Sequence, residues 1–428
     1  MSRLLEFACY EPDSVNVPGA RRPAGEHHSD CSPPRVWPYG DSPTELSGIG
    51  VTRGPLTMQL RVFLLASDIN SGAQRVSTGS TVLRRLLVGV TMLCSVTIFV
   101  VIIAASIGPL SVPFTHTVST LLDLIGIGDS DANPTEQAVI QSIRLPRIFL
   151  AFIVGAGLGI SGGIMQGLFR NSMADPGIIG VSSGGAAGAV LAIASGLSAV
   201  STFFLPLFAF IGSAFSMAVV FLIASVGGRF SMATLLLGGI AVSSFLGALT
   251  TATIIFTNDL NMQRQIIFWI AGGFDTARWE SVQIATPIIV AGSVITIFVA
   301  RDLNLLFVSE DEARALGVRV TLMRNTLLIA ASLITGAAVA FSGIIAFVGL
   351  VVPHVVRLLV GADHRVLLPL SALGGGLFLL VADTAARVVL SPAELRVGVV
   401  TALIGAPFFI YLLLRSRGAF SESSGGMR

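Results

Sequence analysis

Lysine is missing from this chain altogether, and all 26 basic residues are arginine. A Walker-type phosphate loop needs its lysine, so the chain does not bind and hydrolyse ATP by that route. Schiff-base chemistry is excluded for the same reason. Cysteine is scarce. Cys9, Cys31 and Cys94 are scattered, with no CxxC or Cys/His spacing, which leaves no metal-site pattern. The five histidines do not cluster, apart from His27-His28 in a polar stretch. Charged residues make up only 12%, against about 25% in soluble domains. Near the N-terminus there is no apolar core followed by a small-residue cleavage site, so a signal peptide is not expected.

What is present is apolar. The composition is 53% hydrophobic and the mean hydropathy is +0.84. This describes an all-α, polytopic membrane protein. Apolar runs fall at about 86–107, 148–169, 177–198, 202–226, 233–256, 281–300, 323–341, 343–360, 367–390 and 398–414. Read against the ~20 residues needed to cross a bilayer core, they predict about ten transmembrane helices. Residues 1–80 are unlike the rest, carrying Pro, Ser, Gly, Arg and acids without sustained periodicity. They are expected to form a disordered extension, and Met58 is a candidate for a later start. Residues 81–418 form the membrane domain and 419–428 a short cytoplasmic tail.

The positive-inside rule assigns the sides. With the N-terminus inside, twelve arginines lie at inner ends and loops: 84, 85, 170, 229, 301, 314, 319, 324, 357, 365, 415 and 417. Six lie outside: Arg144, Arg147, Arg264, Arg278, Arg387 and Arg396. Both termini are therefore expected in the cytoplasm, and the six outer arginines call for a reason.

The stretch from Arg144 to Val190 organises the chain. Gly155, Gly159, Gly163 and Gly167 recur every fourth residue. On a helix they share one face and form a groove for close backbone packing. Arg144 and Arg147 flank a Leu-Pro step at the outer mouth of this span, and Arg387 sits near the outer end of the ninth. Arginine grips carboxylates with a planar fork of donors, so the three could dock an acidic partner. They could equally snorkel to lipid headgroups, and Asp383, four residues before Arg387, could pair with it.

On the inner side, Ser309 can cap a short helix. Glu310, Asp311, Glu312, Ala313, Arg314, Ala315, Leu316 and Gly317 follow, with acids in the first turn and glycine at the end. The segment reads as a contact for a cytoplasmic partner or as a solvated loop. Pro353 breaks an apolar run beside a lone His354. Gly159-Ile160-Ser161-Gly162 matches the GxSG setting of a rhomboid-type intramembrane serine protease, but such an enzyme also needs a base within reach of Ser161. An ion-coupled transporter would need acids at mid-membrane, and Asp175, Asp302 and Asp383 fall near span ends.

Several segments together resemble one family. They are RLPR at 144–147, the small-residue run ending in Gln166-Gly167, NSMADPGIIGVSSGGAAGA at 171–189, and Phe268-Trp269 with Gly272-Gly273. Further on come ARALGV at 313–318, GIIAFVGLVVPHVVRLLVGADHR at 343–365, ADTAAR at 382–387, and ELRVGVVTALIGAPFFIYLLLR at 394–415. These are similar to the FecCD permeases, the membrane subunits of iron-siderophore, haem and vitamin B12 import ABC transporters. The likeness runs from about residue 85 to 428. The chain departs from the family pattern at Asn171-Ser172-Met173, where Asn-Pro-Leu is usual, and at Glu394-Leu395-Arg396, where Glu-Leu-Pro is usual.

The resemblance implies a type II ABC importer permease fold in a bacterial inner membrane. It implies three kinds of partner: a second permease subunit, identical or paralogous; a cytoplasmic ABC ATPase dimer; and an extracytoplasmic substrate-binding protein. Arg144, Arg147 and Arg387 match positions that meet glutamates of that binding protein, and Glu310 to Gly317 matches the helix that couples to the ATPase. The gate should lie around Ser231 to Thr234. The expected cargo is a bulky chelate, ferric siderophore or haem first and cobalamin next. No cofactor, catalytic residue, metal site or nucleic-acid partner is expected, and membrane lipid surrounds the whole.

Overall fold

The computed structural model describes residues 79–108, 112–226, 230–391 and 393–424, with side chains as far as Leu414. The expected extension lies almost wholly outside the described residues, as do Arg229, Pro392 and residues 425–428. All regular structure among the described residues is helical. In chain order it runs α1 (Gly79–Ser106), α2 (Phe114–Leu124), α3 (Pro134–Val139), a π turn (Ile140–Arg144), α4 (Leu145–Leu168), and a 3-10 turn (Pro176–Ile179). Then come α5 (Val181–Ala194), α6 (Leu197–Val200), α7 (Phe204–Ser225), α8 (Met232–Phe256), α9 (Leu260–Ile270) and α10 (Trp279–Phe298). The last six are α11 (Ala300–Val308), α12 (Glu310–Ala315), α13 (Val320–Ser342), α14 (Val348–Val360), α15 (His364–Val388) and α16 (Val397–Ser424). α16 continues to Ser424, so residues 419–424 prolong the last helix.

Eight helices among the described residues are long and apolar enough to cross a bilayer: α1, α4 with its lead-in, α7, α8, α10, α13, α15 and α16. Two of the ten expected runs form shorter helices. The run at 177–198 becomes α5, of 14 residues, and the run at 343–360 becomes α14, of 13. Each is about 20 Å long at 1.5 Å per residue. The reason lies in their lead-ins. Asp175 accepts from Gly177 N–H at 2.7 Å, and Gly180 turns the chain at φ +88 before α5 can start. Ahead of α14, Gly343 and Phe347 both take positive φ, and the chain between them is unwound. Unwound backbone survives at membrane depth only inside protein. Here Gly272 and Gly398 pack on the Ile344 carbonyl, and Gly273 N–H donates to Ser342 O at 2.8 Å.

α4 is the axle of the bundle, buried along almost its whole length. Its glycine stripe faces α15. Gly155 opposes Gly375, Gly159 opposes Ser371, Gly163 opposes Leu368 and Gly167 opposes His364, so the two helices run antiparallel. A methyl on Gly155 or Gly159 would land on a backbone carbonyl of α15. On a second face, Gly162 abuts the Gly349 carbonyl of α14. That carbonyl is special because Pro353, four residues on, has no N–H to give it. Gln166, fully buried on α4, supplies the donor: its Nε2 lies 3.4 Å from Gly349 O and 3.0 Å from Leu350 O. Ser161 likewise donates to Ala331 O of α13 at 3.2 Å. α5 repeats the device, with Gly184 and Gly188 against the Gly212 and Phe208 carbonyls of α7.

Overpacking of a tight core ordinarily costs about 1–3 kcal/mol, and here the obstruction is backbone, which yields least. Gly162→Ala should therefore lower the thermal midpoint of the detergent-solubilised protein. Gly247→Ala on α8, where nothing lies within 4 Å of the added methyl, should leave it unchanged or raised. Scanning fluorimetry on both variants checks the pair.

Candidate functional site

Two places collect charge on this otherwise apolar chain, one at each end of α4. At the end where α4 begins, the π turn and the Leu145-Pro146 step deliver Arg144 and Arg147 to the bundle interior. Their residues are only 4% and 9% exposed, and Arg387 of α15 is 4% exposed. These three, expected to dock an acidic partner, are all buried within the chain. Arg144 donates to Ala105 O and to Ser106 O, the latter at 3.0 Å. Arg387 donates to Ala104 O and Ile107 O, both at 3.2 Å. The four acceptors are the terminal carbonyls of α1, which no helical N–H reaches and which carry the negative end of the helix dipole. Two guanidinium groups thus cap α1.

Arg147 has a different task. Its Nε lies 2.9 and 3.2 Å from the two oxygens of Asp383, and its terminal NH1 is 2.9 Å from Glu394 Oε2. Asp383 is fully buried and also holds Arg387, four residues on, at 3.3 Å. Asp275 lies 3.8 Å from Arg147 and pairs directly with Arg396. Arg396, standing where the resembling family carries proline, stacks over the Phe268 ring at 4.3 Å. Burial and the like charge of Arg147 both push its guanidinium below the ordinary value, but arginine starts so high that it stays charged. The cluster ties α4, α15, the chain before α10 and the turn before α16.

Two outer arginines remain exposed, Arg264 and Arg278. They flank a cavity of about 590 Å³ that includes Phe268, Trp269 and Glu280. Residue pattern alone ranks them below Arg144 and Arg147, because nothing in sequence tells which arginine has a partner waiting 230 residues away.

At the other end of α4 stands α12. Ser309 accepts from Asp311 N–H at 3.2 Å. Gly317, at φ +86, donates to Arg314 O at 3.0 Å, and Val318 N–H reaches Ala313 O at 2.9 Å, a Schellman closure. Ala313 is buried and anchors the turn, while Asp311, Glu312, Ala315 and Leu316 face outward. Arg314 pairs with Asp311 at 2.8 Å and Glu310 at 3.1 Å, and Arg324 approaches Glu310 at 3.7 Å. The preceding helix, α11, is held to α4 by Arg170, whose Nε and NH2 donate to Leu306 O at 3.1 and 2.8 Å. Asn304 of α11 also binds the start of α15. Its Oδ1 accepts from the His364 backbone N–H at 2.8 Å and lies 2.7 Å from Nδ1, which must therefore carry the proton.

Ser161 has no base beside it. Its hydroxyl is spent on the Ala331 carbonyl, and the His354 ring packs edge-on to Phe408. Ser231, near the expected gate, caps α8 by accepting from Thr234 N–H at 3.2 Å. No catalytic constellation emerges from the described residues. What emerges is a stiff central helix joining a charged outer end to an exposed, capped helix.

Residues 96–415 match the model of the FecCD transport family. The chain belongs to that family. It is 49% identical to a cobalamin import system permease of Halobacterium salinarum, over 65% of this chain and 74% of that one. It is 42% identical to a hemin transport system permease of Yersinia pestis, over 64% and 83%. Among solved structures, a chain described as a metal-chelate type ABC transporter, inward-facing, is 36% identical with a TM-score of 0.66, covering 76% of this chain and 98% of its own. These comparisons give the rhomboid-type reading no support. The FecCD chain is an ABC importer permease, all-helical and multi-pass, and its outer charge cluster and α12 are to be read in that light.

Leaving a buried charge without its partner costs about 3–5 kcal/mol, whereas an exposed pair is worth about 0–1 kcal/mol. Asp383→Asn should sharply reduce the folded yield of membrane-inserted protein in detergent. Asp311→Asn, at a partner 91% exposed, should not. Fluorescence-detected size exclusion of tagged variants compares the two.

Proposed function

We propose that this permease imports a bulky metal chelate, with ferric siderophore or haem as the leading cargo. Cobalamin is the second reading, favoured by the 49% identity to a cobalamin permease. The observation that carries the wider proposal is α12: a rigidly capped helix that turns Glu312, Ala315 and Leu316 outward, away from the bundle. With no lysine for a Walker loop, the energy comes from another chain, and α12 is the place to receive it. An ATPase dimer contacts α12 on each of two permease subunits, and a binding protein delivers cargo to the opposite face. The start of α1 and the end of α16 lie on the α12 side, in the cytoplasm.

Docking on the outer face follows from the charge cluster. Arg144 and Arg387 are consumed by α1 carbonyls, so they position the mouth and do not grip the partner. Arg264 and Arg278 meet acidic groups of the binding protein first. Arg147 becomes available when Glu394, itself half-exposed at the surface turn, gives way. Movement of α12 passes to α11 and through Arg170 to α4. The switch is driven by the different affinity of each partner for the two states. Apolar and small side chains along the helices suit a large ligand that is shielded and not held by charge.

Uptake of labelled ferric siderophores, haem and cobalamin is measured in a strain lacking its own system, with the neighbouring ATPase and binding protein supplied. One of the three should enter in an ATP-dependent way. Leu316→Arg should cut that uptake at least tenfold while the amount of permease in the membrane stays the same. Full uptake in the variant, or entry of none of the three in the wild type, would sink the reading.

A further inference from the structure

A groove of about 1220 Å³ runs between α1, α14 and α15. α1 closes on α15 at Gly89, where an added methyl would lie 2.7 Å from the Leu370 side chain. The groove opens between α1 and α14. Its walls are apolar, with Val88, Met92, Leu359 and Phe378 among them, and the first three of these are 60%, 68% and 78% exposed. A surface of this kind at bilayer depth takes hydrocarbon.

One end is different. Arg84 and Arg85 stand there, both exposed, on a helix with no acid in its 28 residues. α14 has no acid either. The nearest one along the chain, Asp363, already accepts from Asn304 at 2.7 Å and from Arg365 N–H at 3.0 Å. Arg85 reaches Val360 O only at 3.5 Å, the limit of a hydrogen bond. Among the described residues, the groove therefore joins long apolar walls to a pair of cations with no carboxylate in its lining. Hydrocarbon chains carrying a phosphate at one end satisfy both parts at once, and basic pockets between inner helix ends are suited to anionic headgroups.

We infer that this groove holds one anionic phospholipid of the inner leaflet. Its phosphate lies on Arg84 and Arg85, and an acyl chain runs along Met92 and Phe378. The inference rests on the inward placement of the start of α1 proposed above.

The full chain is reconstituted in vesicles with photoactivatable phosphatidylglycerol or photoactivatable phosphatidylcholine. Label from phosphatidylglycerol should concentrate in peptides covering 81–93 and 351–361. It should fall at least tenfold in the Arg84→Gln/Arg85→Gln variant. Phosphatidylcholine should label weakly and equally in both proteins. Equal labelling by the two lipids overturns the proposal, and so does label spread evenly over α7 and α8. Crosslinking of the groove to residues 1–78 or to a second copy overturns it as well. Orientation is read in the same vesicles from Glu312→Cys, with Cys9, Cys31 and Cys94 replaced by Ser, using an impermeant maleimide. Selective groove labelling with α12 facing outward would overturn the inner-leaflet assignment. Absence of selective labelling with α12 facing inward would overturn the lipid site and leave the transport reading standing.

Discussion

The structure depends on one close approach: the backbone of α4 lying against the backbones of α15 and α14. Lipid tails are as apolar as leucine, so burying leucine gives little drive for helix association inside a membrane. Contact area and backbone proximity must do it. Glycines at 155, 159 and 162 allow carbonyls of Gly375, Ser371 and Gly349 to sit where a side chain would start. That proximity puts Gln166 within reach of Leu350 O and of the Gly349 carbonyl that Pro353 leaves free. It also sets Arg147 opposite Asp383 at one end and Gly167 against the His364 ring at the other. Widening the α4–α15 gap by one methyl would disturb all three.

The outer arginines show how the same residues serve a different purpose from the one their position suggests. A positively charged mouth reads as an invitation to an acidic partner. Yet α1 ends in four carbonyls that must find donors in a place with little water, and an orphaned backbone group there costs several kcal/mol. Arg144 and Arg387 meet that demand with several donors each. Asp383 offsets part of the positive charge of the three buried arginines by pairing with Arg147 and Arg387. The cluster supplies the donors that the end of α1 needs, and its exposed rim holds Glu394, Asp275, Arg264 and Arg278.

Much of this was legible in the residues. The glycine stripe at spacing four announced a close-packed face, though not which helix would fill it. The capped acidic segment at 309–317 announced a short helix, and the Asp383–Arg387 pair was visible as an i, i+4 neighbour. The pairing of Arg147 with Asp383 was hidden, because the residues are 236 apart and only the antiparallel α4–α15 contact brings them together. The shortened α5 and α14 were hidden for another reason. Hydropathy does not see backbone conformation, so Gly343-Ile344-Ile345-Ala346-Phe347 reads as apolar span although it is unwound. Positive φ at Gly180 and Gly343 could have hinted at the breaks, but glycine is too common here, at 46 residues, for any one to stand out.

A single rigid helix connecting two polar ends constrains how such a permease can work. α4 is locked at its start by Arg147 and just past its end by Arg170 on Leu306 O, with no proline inside beyond its first turn. It has little freedom to bend, so the α4–α15 pair is a stiff unit. The breaks beside this pair are non-helical: the positive-φ Arg170, the unwound 343–347, and residues 393–396. Each lies at the edge of the locked pair. The locked pair is thus bounded by non-helical breaks, while its buried ion pairs, Arg147 and Arg387 with Asp383, stay inside it.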